Sequence, residues 1–312
     1  MADRTGIPWS EASWNPITGC VKASSGCKFC YSERDWARLS ANPKTIYFGR
    51  KFTDVMCHPE RLDQPLRWTR ARKIFVNSMS DLFHDAVPFE FIDQVFAVMA
   101  LAPRHTFQIL TKRAARMREY MIRITQEPEH LDAAARTLGH TLNFDGIPLP
   151  NVWLGVSVEN QETANERIPI LLRTPAAVRW ISAEPLLGPL DLVHVALAGT
   201  TFNALAKQGP ENVIPGLNWV VVGGESGPLR RSRPMLPVWA RTLTEQCEAA
   251  GVPVFYKQEG SWLHVPSVED SRNLPANNLK YFPDIDATFL HRKGGGAETL
   301  DGKTYQQFPI AA

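Results

Sequence analysis

The sequence predicts an α/β protein folded as a complete or partial (β/α) barrel of about six or seven parallel strands. Short apolar runs rich in β-branched and aromatic residues alternate with stretches of helical spacing, and polar residues gather where the apolar runs end. A chain of 312 residues with 44% hydrophobic content is long enough to bury such a core.

A possible first strand runs through Ser13 to Thr18. The next, Lys73-Ile-Phe-Val-Asn77, precedes a helix over Phe89–Leu101, in which Ile92, Val95, Phe96 and Met99 fall on one face. Pro88 suits its first turn and Pro103 blocks its continuation. Thr106–Leu110 leads into a basic helix over Lys112–Ile122, and Val152–Val156 leads into Asn160–Leu172. Val178–Ile181, Leu217–Val222 and Val252–Tyr256 supply three further strands, with a helix over Pro237–Ala250 before the last. An open doubly wound sheet shares this alternation, and both architectures place chemistry where strands end.

The barrel core spans residues 1–260, interrupted by turn-rich insertions near 125–150 and 194–216. Residues 261–312, with Gly294-Gly-Gly296 and Asp301-Gly302, read as an irregular C-terminal extension rather than a second domain. No internal repeat is evident.

A formal charge of +2 is too small for wholesale nucleic-acid binding, although local basic clusters remain able to recruit phosphate. No stretch approaches the roughly 18 apolar residues of a membrane span, and Met1 to Thr5 lacks the layout of a signal peptide. The expected location is the cytoplasm, with no membrane partner. Five cysteines without a secretory signal favour reduced thiols available to metal over a disulfide framework.

Cys20, Cys27 and Cys30 form C-x6-C-x2-C, with Gly19 and Gly26 allowing the loop to fold around a metal. Three thiolates on a [4Fe-4S] cluster leave one iron open to a non-protein ligand, and S-adenosylmethionine can fill that place with its amino and carboxylate groups. The competing reading is a zinc site with Cys57 or His58 as fourth ligand. Against zinc stands the lack of a second C-x2-C, and Cys57 and His58 directly precede Pro59, as residues leading into a helix would. Cys57 fits a buried structural role better than ligation. Cys247 shares a helix face with Trp239 and Leu243, so it reads as a core thiol.

Ser157, Glu159, Glu184, Gly223, Gly224 and Glu225 follow apolar strands. Carboxylates at such a rim are placed to accept hydrogen bonds from ribose hydroxyls or an α-amino group, and paired glycines let backbone approach a ligand. Turn glycines and capping carboxylates are the competing explanation for each. Asn77, Ser78, Ser80 and Asp81 form another polar rim, with His84 nearby as a structural histidine or an acid–base group. Basic residues cluster at Lys112, Arg113, Arg116 and Arg118, and at Arg230, Arg231 and Arg233; Lys112, Arg113 and the second trio are the candidates for substrate phosphate.

The run Trp14-Asn-Pro-Ile-Thr-Gly-Cys20 followed by Ser25-Gly-Cys-Lys-Phe-Cys-Tyr31 resembles a phage-associated three-cysteine family, labelled after numbered phage gene products and radical-SAM-like. Asn77 to Asp81, Leu110-Thr-Lys-Arg113, Gly155-Val-Ser-Val-Glu159, Ser182-Ala-Glu-Pro185 and Gly223-Gly-Glu-Ser-Gly227 also look like its blocks, over roughly residues 5 to 260. The spacing of six between the first two cysteines departs from the three typical of the wider radical-SAM superfamily.

The resemblance implies that Cys20, Cys27 and Cys30 ligate [4Fe-4S] and that Phe29 lies near adenine; Ser78, from the polar rim after Asn77, joins the cofactor-binding candidates. It implies a radical S-adenosylmethionine enzyme generating a 5′-deoxyadenosyl radical, fed by an external electron donor. The phage link points to a modified nucleotide or DNA substrate, including isomerisation of an aminoacylated thymine in DNA hypermodification, and to the host cytoplasm if the chain is phage-encoded. The alternative function is a zinc-stabilised, non-catalytic nucleic-acid-binding protein.

Overall fold

The computed structural model of the chain describes residues 5–206, 215–272, 274–294 and 296–310. Its first elements are β1 (Ala12–Trp14), β2 (Ile17–Thr18), α1 (Tyr31–Ser40), β3 (Met56–Cys57) and β4 (Lys73–Val76). Then come α2 (Phe89–Leu101), β5 (Thr106–Thr111), α3 (Ala114–Gln126), α4 (Glu129–Thr137), β6 (Val152–Ser157), α5 (Gln161–Leu172) and β7 (Val178–Ala183). The chain continues through β8 (Val195–Leu197), β9 (Thr200–Phe202), β10 (Trp219–Gly223), α6 (Pro237–Ala250) and β11 (Val254–Gln258). It ends with β12 (Trp262–Val265), α7 (Val268–Ser271), β13 (Leu279–Phe282) and β14 (Ala287–His291).

Seven strands form the main sheet in the order β1-β4-β5-β6-β7-β10-β11, with β1/β4, β4/β5, β5/β6 and β10/β11 running parallel. The α/β expectation holds, and because β1 and β11 end the order, the architecture is that of a partial barrel. Every residue of β6 and of β10 is buried, which is why these strands read as unbroken apolar runs rather than as alternations. No helix among the described residues is long and apolar enough to cross a membrane.

The described residues divide into two compact units, one comprising those up to Val156 with Arg167–Trp180, the other those within Ser157–Glu166 and Ile181–Pro309. In the first, α2 takes the expected bounds: Pro88 stands at its N-cap and eight of its residues are buried. The anticipated strand through Ser13 to Thr18 is instead two short ones. β1 joins the main sheet, with Ala12 opposite Ile74, whereas β2 pairs antiparallel with β3, Ile17 opposite Cys57. Pro16 lies between them and has no N–H to continue a ladder.

The basic helix begins at Ala114 rather than Lys112, since the N–H groups of Lys112 and Arg113 bond to Asp81 and Thr111 side chains. The insertion near 125–150 is not only turns. It carries α4, whose Ala134 and Ala135 pack on Ala97 of α2.

In the second unit, α6 has the expected bounds, with Pro237 opening it and Gly251 ending it in the left-handed conformation at φ 68°. The other insertion forms the β8/β9 hairpin, whose two-residue Ala198-Gly199 turn has positive φ at both positions; its residues 207–214 lie outside the described ones. Beyond Gly260 the chain is more regular than expected. β12, β14 and β13 build an antiparallel sheet around Trp262, Ala287 and Phe289.

Residues 305–308 run along β11. Tyr256 N–H donates to the Tyr305 carbonyl (2.8 Å), Gln307 N–H to the Val254 carbonyl (3.0 Å), and the Phe308 ring stacks on Trp219 with centroids 5.4 Å apart.

Candidate functional site

The cysteine loop leaves β2 through Gly19, whose φ of 91° and closeness to the Asp54 carbonyl exclude a side chain. Cys20 N–H then donates to the Phe52 carbonyl (2.9 Å), Cys27 closes a single 3₁₀ turn over Ser25–Cys27, and Cys30 is the N-cap of α1. All three thiols are free and partly exposed. Ala23 N–H points at the Cys27 sulfur (3.5 Å), a contact that stabilises negative charge on it.

Burial, and next the Asp81 carboxylate, push the Cys20 thiol up to about 11, so a metal must displace its proton to bind at neutral pH. Among the described residues no three His, Cys, Asp or Glu side chains converge closely enough to hold a single metal ion. A four-iron cube asks for something different: three soft donors bordering one space, each on its own iron. The three thiols of this loop fit that donor set chemically.

The loop is tied to the end of β4 by a polar knot. Asn77 adopts the left-handed conformation (φ 61°) and its Oδ1 accepts from Ile17 N–H (3.3 Å). Asn15 Oδ1 accepts from Ser78 Oγ and from Met79 N–H, each at 3.1 Å. Tyr31 and Ser32, at the start of α1, donate their hydroxyls to the Ser78 carbonyl (2.5 and 2.9 Å). Ser78 thereby holds α1 in place. Nothing in the pattern of apolar residues marked Asn15 or Tyr31; their signal was a polar side chain beside a proline and a tyrosine directly after a cysteine. Phe29 is half-buried, with Lys28 over its ring at 5.4 Å.

Asp81 and Arg113 form an ion pair (3.0 Å) with side-chain exposures of only 8% and 11%. Asp81 also accepts from Thr111 Oγ1 (2.7 Å), Phe83 N–H (3.0 Å) and Lys112 N–H (3.2 Å). The same Arg113 Nη1 lies 4.0 Å from the Cys20 sulfur, and Nη2 donates to the Val21 carbonyl (3.4 Å). Nearby His84 is buried and accepts at Nδ1 from Ala86 N–H (3.1 Å), and burial, then Arg113, pushes its pKa down. Its partner there is the fold itself, as for a structural histidine. Both ring nitrogens of His58 are engaged, with Thr18 Oγ1 (2.8 Å) and Glu60 Oε1 (3.1 Å). An imidazole so held would have to give up a partner to ligate zinc.

In the second unit the strand-end groups are placed as follows. Ser157 and Glu159 are buried, and Glu159 N–H donates to Thr163 Oγ1 (2.9 Å) at the turn into α5. Glu184 accepts from Lys257 Nζ (2.5 Å), a partner whose only sequence signal was a lysine ending an apolar strand. The space a side chain would take at Gly224 holds the Glu259 carbonyl, so the missing Cβ serves close backbone packing; a Cβ at Gly223 would meet the Glu184 and Lys257 side chains, each at 3.4 Å. Glu225 takes a fork from Arg233, with Oε2 accepting from Nε (2.9 Å), Oε1 from Nη2 (2.6 Å) and Oε2 also from the backbone N–H (2.7 Å). Arg230 and Arg231 are exposed, and Lys112, in the first unit, is half-exposed.

Among curated proteins none matches this chain significantly. Three solved structures of spore photoproduct lyase are similar to it at TM-scores of 0.39, 0.37 and 0.35. They share 11%, 10% and 11% identity over 91% of this chain and 69% of theirs, and one carries bound AdoMet and a dinucleoside spore photoproduct. Residues 4–309 match the model of the family described as Protein of unknown function (DUF5131), and the chain belongs to that family.

Proposed function

We propose that this chain is a radical S-adenosylmethionine enzyme with a [4Fe-4S] cluster on Cys20, Cys27 and Cys30. The observation that carries the reading is the cysteine loop: three free, partly exposed thiols on one short segment entering a helix, while the histidine best placed in sequence to complete a zinc site has both ring nitrogens engaged. When bound, cluster and cofactor supply one electron and the 5′-deoxyadenosyl radical it releases.

The chain's own residues do the rest. Gly19 and the Phe52 carbonyl fix the direction of Cys20, and the Asn15, Ser78, Tyr31 and Ser32 knot holds Cys30 at the start of α1. Phe29, half-buried beside Cys30, offers a flat face for adenine without demanding a hydrogen-bond pattern. Exposed Arg230 and Arg231 suit a phosphate-bearing substrate. A modified nucleotide or DNA base is the class that follows, with isomerisation of an aminoacylated thymine in phage DNA as its most specific form and an external carrier as electron donor.

Anaerobic reconstitution tests this directly. The expected content is about four irons and four sulfides per chain, and reduced protein should convert S-adenosylmethionine to methionine and 5′-deoxyadenosine. Stoichiometric zinc without sulfide would overturn the proposal and leave the zinc-stabilised nucleic-acid-binding alternative.

A further inference from the structure

We infer that Arg113 sets the reduction potential of the cluster by presenting its guanidinium to the Cys20 sulfur, and that Asp81 opposes this effect. The inference rests on the cluster reading above. Arg113 is clamped on three sides: Nη1 meets Asp81 Oδ2 at 3.0 Å and the Cys20 sulfur at 4.0 Å, and Nη2 meets the Val21 carbonyl at 3.4 Å. Its backbone N–H is held by Thr111 Oγ1 (2.9 Å), and the same hydroxyl donates to Asp81 (2.7 Å). A guanidinium only 11% exposed and so restrained is not deployed like a surface cation awaiting a phosphate.

The physical consequence concerns charge. Reduction places one more electron on the iron–sulfur core and its thiolates, taking the core from the 2+ to the 1+ state. A fixed cation and N–H donor against one ligand sulfur stabilise the reduced form more than the oxidised one, which raises the potential. The Asp81 carboxylate, which meets the same Nη1 as the Cys20 sulfur, cancels part of that charge. Arg113 is thus a positioning residue that acts through Cys20. Because the pair is poorly screened by water, each member retains a sizeable effect of its own sign.

The two signs make the test sharp. Reconstituted wild-type, Arg113→Gln, Arg113→Lys and Asp81→Asn proteins are titrated with dithionite, which supplies the single electron, and the reduced cluster is followed by electron paramagnetic resonance. Arg113→Gln should lower the ratio of reduced to oxidised cluster at a fixed potential by about tenfold, equivalent to about 59 mV for one electron. Asp81→Asn should raise that ratio, and Arg113→Lys should restore most of it. Shifts of the same sign in the Gln and Asn variants, or a lysine variant indistinguishable from glutamine, would overturn the inference while the cluster reading stands. A wild-type chain that takes up zinc and no sulfide would overturn both.

Discussion

Among the described residues, two arginine–carboxylate pairs with buried carboxylates stand just beyond strand ends, one in each compact unit, and their geometries differ. Arg233 turns one edge of its guanidinium, Nε and Nη2, to Glu225 and adds its backbone N–H, a closed fork with a carboxylate only 7% exposed. Arg113 gives Asp81 a single nitrogen, shares that nitrogen with the Cys20 sulfur, and turns its other terminal nitrogen to a carbonyl of the cysteine loop. Asp81, in turn, is shared among four donors. The closed pair staples residues 226–232 to the end of β10. The open pair couples the turn after β5 to Cys20, a ligand in the proposed cluster, so under that proposal the same residue types would serve a structural role in one place and an electrostatic one in the other.

The largest expected effect lies at the open pair's sulfur. Cys20→Ala, Cys27→Ala or Cys30→Ala should each abolish iron and sulfide uptake. Cys247→Ala should not, because that thiol is fully buried on α6 and burial pushes its pKa up to about 12. Equal loss from all four, by iron and sulfide assay, would remove the basis of the comparison.

The closed pair comes next. Glu225→Gln leaves Arg233 without its fork and should cost about 3 kcal/mol in urea unfolding, the low end for a broken buried pair given that Arg233 is partly exposed. Iron content should stay unchanged. A loss of iron would mean that the second pair also serves the cysteine loop.

Smaller still is the pH dependence around the open pair. Burial lowers the pKa of His84, so as pH falls the unfolded chain takes up its proton first, near pH 6.5. The stability His84 contributes is complete above that pH and is lost on descending toward the folded-state value. His84→Gln should flatten the dependence of unfolding free energy on pH between 7 and 5; an unchanged slope would show that other groups carry it. The exposed pair Arg230→Ala/Arg231→Ala should shift stability by less than about 0.5 kcal/mol, while lowering the salt slope of any nucleic-acid binding. An unaltered slope would remove these arginines from substrate contact.

The same contrast marks what could be read from the sequence. The bounds of α2 and α6 were legible because proline and glycine act on their own turn of chain. β6 and β10 were legible because strands buried on both faces are apolar throughout, whereas the first strand was misplaced, its expected run dividing into β1 and β2. The cysteine spacing stood out for the same reason, being local. Asp81 and Arg113 were each visible, yet their pairing spans 32 positions and depends on β4 lying beside β5. α4 was missed because its burial is confined to Leu131, Ala134 and Ala135, and two alanines contribute little periodic signal.

The strip formed by residues 305–308 guards more than local packing. β11 ends the order of the main sheet, and a terminal strand offers a row of unmatched peptide groups to any extended segment that approaches. Here the chain itself fills that row, with Tyr305 and Gln307 bonding to Tyr256 and Val254 while Phe308 covers Trp219. Shortening the protein before Tyr305 would leave every strand of the sheet present but uncover a sticky border, and the easiest partner for that border is the same border on a second molecule. A chain so shortened should self-associate through β11 more readily than the full one, although the four residues removed from that border lie far in sequence from the cysteines.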